Sequence, residues 1–467
     1  MTEIAAVAAG NWRELLGPKN LGAAVVLAGG VALYATNEFL TISLMPSAVA
    51  DIGGQRYYSW VTTVYLVGSV VAATTVSGVL ARVGPRWSYL VALALFGIGS
   101  LGCAVAPSMS LLLVGRSVQG VAGGLLAGLA YAVINTALPS GLWTKASALV
   151  SAMWGVGTLI GPAAGGLFAQ YGSWRWAFGV LVVMVIAMAV LVPVALPRRS
   201  DDPVASGYRR IPVWSLLLLG AAALLVSAGG VVHGMALTVG LVSAGGVFLV
   251  AFLVVDRRVS ASVLPRSVFV SGPLKWVYVT LGVLMAATLI DMYVPLFGQR
   301  LAHLAPVAAG FLGAGLAVGW TTAEILSASL GRDRVIRRVV AAAPMVMAAG
   351  LVLNAATQRM DASPLHVVAW ALGLMISGTG VGMAWPHLSA WAMSKVRDPA
   401  EGPVAAAAIN TVQLMSAALG AAVAGVIVNS TDSGGAGASR TLFTVFAALV
   451  AAGTLAAVRS GREAFTP

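Results

Sequence analysis

Four ionisable side chains lie inside long apolar runs: Glu38, Arg116, Asp291 and Glu324. A charge at the centre of a membrane-crossing helix costs about 2.5–3.5 kcal/mol on insertion scales. Such a group persists only with a partner, a water-filled cavity or a task. Glu38 lies eight residues before Pro46, which puts it about 12 Å from that end of its run. The run holding Arg116 starts near Leu111 and goes the opposite way, so Arg116 sits about 8 Å in from the same side. The two can meet. A buried carboxylate beside a guanidinium is held between opposing effects and can load and release a proton near neutral pH. The other reading is a static buried ion pair that fixes two helices.

Around these charges lie groups suited to holding an organic molecule. Tyr34, Asn37, Glu38 and Thr41 share one helical face by their spacing. Asp291 has Thr288 one turn back and Tyr293 close by. Trp320 lies four residues before Glu324, and a carboxylate beside an aromatic ring suits a lipophilic cation; alternatively, Glu324 reaches Arg332 or Arg334 in the next loop. Gln119, Gln413 and His387 add polar groups, and His387 follows Pro386, where a loosened helix can free a carbonyl. Trp154 and Trp385 fall well inside their runs. Each polar group has a structural alternative as an interhelical hydrogen bond, and each tryptophan one as packing.

The elements that must position these groups are membrane helices. Of 467 residues, 59% are hydrophobic and 9% charged, against about 25% charged in soluble domains. That excludes a cytosolic enzyme, a disulfide scaffold and a disordered chain. Helices are the spanning form for long continuous apolar runs, because lipid offers the backbone no hydrogen bonds. Spans are expected near 21–45, 60–82, 88–106, 111–136, 145–170 and 174–196, then 213–232 and 236–255, then 273–297, 305–329, 336–356, 366–394, 403–428 and 440–458. Fourteen spans put 21 of the 27 basic residues in segments on one side and five on the other, with Arg116 within a span. Positive loops stay cytoplasmic, so both termini are expected there, in the cell membrane of a prokaryote. A polar tail with Arg13, Glu14 and Lys19 precedes the first run, so no cleavable signal peptide is expected.

The expected division is a tail at 1–20, six helices at 21–196, a polar linker at 197–212, a two-helix insert at 213–258, six helices at 259–458 and a tail at 459–467. No metal or cofactor is expected. Cys103 is the sole cysteine, and His233, His303, His366 and His387 are scattered. No phosphate-binding Gly-x-x-x-x-Gly-Lys run or hydrolase motif is present, so an enzyme is not expected and energy must come from an ion gradient. The basic residues read as topology signals, so nucleic acid is not an expected partner.

Two motifs carry a family resemblance. LLLVGRSVQGVAGG (111–124) has an Arg-x-x-Gln-Gly pattern in Arg116, Gln119 and Gly120. GVGTLIGPAAGGLF (155–168) has a Gly-x-x-x-Gly-Pro-x-x-Gly-Gly signature in Gly157, Gly161, Pro162, Gly165 and Gly166. Together with fourteen spans they resemble the major facilitator superfamily, in its drug/proton antiporter branch. The loop SGVLARVGPRW (77–87) matches the family's gating loop at Arg82, Gly84 and Arg86, but Ala81 stands where the family has an Asp that locks one state. The resemblance implies an all-α fold of two six-helix bundles plus two central helices. It also implies alternating access, with the glycine face of span 5 at a moving seam. The expected function is proton-coupled efflux of amphipathic or cationic small molecules by a monomer in the bilayer. Glu38, Arg116 and Asp291 would couple protons; Tyr34, Asn37, Gln119, Trp154, Trp320, Glu324, Trp385, His387 and Gln413 would bind substrate. The alternatives are a dedicated exporter of one metabolite, lipid or siderophore, and a receptor or scaffold without transport.

Overall fold

A computed structural model describes residues 11–197, 211–398, 401–431 and 435–464. Most of the expected linker at 197–212, and the extremities of both tails, lie outside the described residues. Every regular element among the described residues is helical. In chain order the long helices are α1 (Leu21–Ile52), α2 (Trp60–Ala73), α3 (Val76–Ala104), α4 (Met109–Ala132), α5 (Trp143–Tyr171), α6 (Trp174–Ala195), α7 (Val213–Val231) and α8 (Met235–Arg258). They continue with α9 (Leu274–Ala302), α10 (Pro306–Ala328), α11 (Asp333–Thr357), α12 (Pro364–Ser394), α13 (Gly402–Asn429) and α14 (Ala436–Glu463). Helix α9 carries a tighter 3-10 stretch at Leu289–Tyr293.

Thirteen helices among the described residues are long and apolar enough to cross a membrane. The shorter one is α2. Its 14 residues rise about 21 Å, less than the hydrocarbon core of about 30 Å. The expected span 60–82 is therefore built in two pieces, α2 and the first part of α3, joined by a turn at Thr74 and Thr75. The expected break between spans 2 and 3 falls at one residue. Gly84 has φ 75° and ψ 171°, a region open essentially to glycine alone. Pro85 follows at once, where its missing N–H does no harm in a first helical turn.

Contacts divide the chain into two compact units, each described in turn. The first holds 1–41 and 68–211. In it α3 packs along α4 and α6. Arg86 donates from Nε and Nη2 to the Leu196 carbonyl at 3.1 and 2.9 Å, satisfying an orphan acceptor at the end of α6. Arg175, at the start of α6, donates to the Ala106 carbonyl at 3.0 Å. These two arginines tie one end of α6 to α3 and the other to the segment that follows α3.

The second unit holds 42–67 and 212–467. Here α12 packs along α10 and α11, α14 along α11 and α9, and α7 along α13. Residues 42–67 are sewn into it by polar contacts. Tyr58 stacks on Tyr293 at 4.9 Å between ring centroids and donates to the Met292 carbonyl at 3.2 Å. Trp60 Nε1 donates to the Ser227 carbonyl at 3.0 Å, Arg56 to the Val231 carbonyl at 3.1 Å, and Asn429 Nδ2 to the Arg56 carbonyl at 2.8 Å.

Gly84→Ala should lower the thermal midpoint of the purified protein, at a cost of about 1–3 kcal/mol for the forced backbone. Gly78→Ala, in open helical space, should hold or raise it. Equal midpoints for wild type and Gly84→Ala would refute the strained-turn assignment.

Candidate functional site

In the first unit the site is built where α5 meets α1. A Cβ on Gly157 would lie 2.6 Å from Ala35 Cβ and 2.9 Å from Thr36 N. A Cβ on Gly161 would lie 2.5 Å from Phe39 Cβ and 2.9 Å from Leu40 N. Only glycine lets the two backbones come this close. The contact runs along the turn of α1 that carries Asn37 and Glu38, and it lies within one unit. Pro162 follows inside α5, and Gly165 and Gly166 are buried further along. One turn before Gly157, Trp154 meets Tyr34 edge-on at 5.4 Å.

Asn37 and Glu38 are held in place without being satisfied. Both Asn37 side-chain atoms, Nδ2 and Oδ1, are buried with no hydrogen-bond partner, and so is Glu38 Oε2. Buried polar atoms are ordinarily paired, and here three that are not stand on one turn of α1. The field of Arg116 reaches Glu38. Arg116 itself is 1% exposed, and its Nη1 donates to Gln119 Oε1 at 2.9 Å. Gln119 Nε2 donates in turn to Ser100 Oγ at 2.9 Å, and Cys103 Sγ lies 3.6 Å from Gln119 Oε1. The Arg-x-x-Gln spacing thus turns the amide back onto its own guanidinium one helical turn away. Gln119 serves here as the anchor of Arg116 and binds α4 to α3. Sequence reasoning missed Ser100 and Cys103. Their common face with spacing of three on span 3 was the available signal.

The second unit carries the remaining predicted residues in two places. Trp320 and Trp385 face each other with ring centroids 5.3 Å apart. Trp320 Nε1 donates to Glu324 Oε2 at 2.8 Å, which joins the carboxylate to the aromatic pair. One turn further along, Ser327 Oγ donates to the Met383 carbonyl at 2.7 Å and lies 3.0 Å from His387 Nε2. The predicted residues Trp320, Glu324, Trp385 and His387 therefore line adjoining turns of α10 and α12. Gln413 is half-buried on α13. Asp291 sits apart from them, on the 3-10 stretch of α9. Its Oδ1 is buried with no hydrogen-bond partner and lies 2.8 Å from where a Cβ on Gly313 would be. Thr288, one turn back, bonds to the Met285 carbonyl. Among loop residues singled out in the sequence, Gly84 forms the kink and Arg86 holds the end of α6, as described above; Arg82 lies two residues before the kink and is exposed.

Gly161→Leu should force α1 and α5 apart and lower the thermal midpoint of the purified protein, because the added side chain enters the backbone of Phe39 and Leu40. Gly155→Leu, which points into open space, should keep the midpoint near wild type. An unchanged midpoint for Gly161→Leu would refute the close-packing argument.

Comparison with known proteins places this geometry in a family. The sequence model of the Major Facilitator Superfamily matches residues 27–421. The chain is 61% identical over 466 residues to a "Probable multidrug-efflux transporter" of Mycobacterium tuberculosis, covering 98% of each chain. It is 28% identical over 423 residues to a puromycin resistance protein of Streptomyces alboniger, covering 88% of this chain and 82% of the relative. Among solved structures, a POT family transporter in complex with 5-aminolevulinic acid superposes with a TM-score of 0.69 at 12% identity, covering 96% of this chain and 97% of the other. The nucleoside transporter NupG gives 0.61 at 12% identity, covering 94% and 98%. These likenesses carry the fold. With a family match over most of its length and a near-full-length relative at this identity, the chain belongs to the Major Facilitator Superfamily as a multi-pass membrane protein.

Proposed function

We propose that this protein exports amphipathic or cationic small molecules across the membrane in exchange for protons. The observation that carries the reading is the unpartnered Oε2 of Glu38, buried beside Asn37 and within the field of Arg116. Efflux as the direction of transport is supported by relatives named for multidrug efflux and drug resistance. The transporter family also supports a non-enzymatic role.

The mechanism follows from charge. Ionised Glu38 attracts Arg116 and any cation near Tyr34, Trp154 and Asn37. A proton arriving on Oε2 removes that attraction and turns the acceptor into a donor. The turn of α1 then loses its electrostatic hold on a cationic substrate, and substrate and proton compete for the same carboxylate. Asp291, with its own unpartnered oxygen, is a second proton site in this reading. Glu324 and the Trp320–Trp385 pair, its rings tilted 55° to one another, offer aromatic faces with a carboxylate beside them, which fits a lipophilic cation. The division into six helices at 21–196, an insert at 213–258 and six helices at 259–458 provides the two bundles that alternate access. Both termini lie in the cytoplasm, as the basic loops require, and the protein works as a monomer with the bilayer, protons and substrate as its partners.

Glu38→Gln keeps the shape and removes the titration. In inside-out vesicles with an imposed pH gradient, it should abolish proton-driven uptake of a fluorescent cationic amphiphile, with expression unchanged. Asp291→Asn should slow the same uptake by a smaller factor. Wild-type rates from Glu38→Gln, or uptake by the wild type with no counterflow of protons, would overturn the reading.

A further inference from the structure

Within the second unit, an apolar cavity of about 720 Å³ lies between α8 and the helices α9, α13 and α14. Its volume falls in the range of about 300–1,000 Å³ typical of small-ligand pockets. It exists because α8 packs chiefly on α7, leaving its other side separated from the bundle. The walls are hydrocarbon: Phe252, Leu253, Val279, Val283, Met415 and Leu449 among others. Leu253, Val279 and Leu449 are also exposed, so the cavity opens towards lipid. None of the residues assigned above to proton or substrate handling lines it.

One end is different. Arg257, in the last turn of α8, and Lys275, in the first turn of α9, both line the cavity. Neither has a carboxylate partner among the described residues. The basic-residue distribution assigns this end to the cytoplasm. The backbone around the two cations is fixed. Asp256, 1% exposed, accepts hydrogen bonds from Ser215 Oγ at 2.7 Å, Val263 N at 2.7 Å and Leu264 N at 2.9 Å. Glu401 Oε2 accepts from Ser267 Oγ at 2.6 Å and Ser267 N at 3.1 Å. Val263, Leu264 and Val268 in this clamped loop form the cavity floor.

We propose that this cavity binds an anionic phospholipid of the inner leaflet, with its headgroup on Arg257 and Lys275 and an acyl chain along the apolar walls. Charge selects the occupant: two cations at the mouth of a hydrocarbon slot between membrane helices complement an anionic headgroup on an apolar tail. A zwitterionic lipid would fill the same slot with its ammonium set against the two cations. The bound lipid supplies the packing that α8 otherwise lacks on its bundle side and joins the insert to the second unit.

The full-length protein, delipidated in detergent, is incubated with phosphatidylglycerol or phosphatidylcholine of matched chains, and retained lipid is counted by native mass spectrometry. Wild type should retain phosphatidylglycerol in about ten-fold preference. Arg257→Gln with Lys275→Gln should bring the two lipids level. Arg258→Gln with Arg334→Gln removes the same charge from residues outside the cavity and should leave the preference intact. Thermal midpoints check that all variants are folded. The proposal is overturned by equal retention of both lipids in wild type, by a preference that survives loss of the lining pair, or by an equal loss in the control pair. It is also overturned if soluble glycerol phosphate displaces the lipid at equal concentration, which would assign the cations to a free phosphate.

Discussion

The contact between α1 and α5 is the constraint on which the rest of the first unit rests. Gly157 and Gly161 bring the α5 backbone against Ala35, Thr36, Phe39 and Leu40, and between those residues lie Asn37 and Glu38. A turn gripped this tightly cannot relax to satisfy its own polar groups. The Asn37 amide and Glu38 Oε2 stay buried and unpaired on that turn. Packing thus maintains an electrostatic demand that lipid cannot meet. The glycine signature, expected at a moving seam, lies in this structure against the turn of α1 that carries Glu38.

Arg116 shows the complementary solution. A guanidinium has five N–H donors and no acceptor, so a buried one must be surrounded by acceptors. Gln119 supplies its carbonyl oxygen one turn along, and its amide nitrogen is held by Ser100 on the neighbouring helix. The cation is therefore immobile and the carboxylate is the group left open. This asymmetry divides the labour: a fixed field from α4 acts on a titratable group on α1.

Much of this was legible in the residue string. The apolar runs gave the helices because a bilayer permits few other backbones, and four charges in those runs identified Glu38, Arg116, Asp291 and Glu324 without any structure. Boundaries near Gly84 were harder. Hydropathy cannot distinguish a loop from a kink, and the turn at Thr74–Thr75 has no polar signature. Hydrogen-bond partners were also hidden: Gln119 read as either a substrate contact or an interhelical hydrogen bond, and its partner Ser100 lies 19 residues away. The neighbours of the two-helix insert at 213–258 were not legible either: Ser227 bonds to Trp60 and Thr63 through contacts that span over 160 positions. Such pairings depend on which helices become neighbours, and span counting is silent on that.

The stretch Leu289–Tyr293 has one more geometric effect. A 3-10 segment rises about 2.0 Å per residue and turns about 120°, against about 1.5 Å and 100° in an α-helix. Over five residues the difference is about 2.5 Å of length and about 100° of rotation. Rewinding that stretch would therefore draw the far end of α9 inward and swing it by more than a quarter revolution. Phe297, which stacks on Tyr293 and leans on Phe443, would sweep to a different azimuth. Asp291 sits on this screw thread, so the same rewinding would carry its carboxylate to a different azimuth as well.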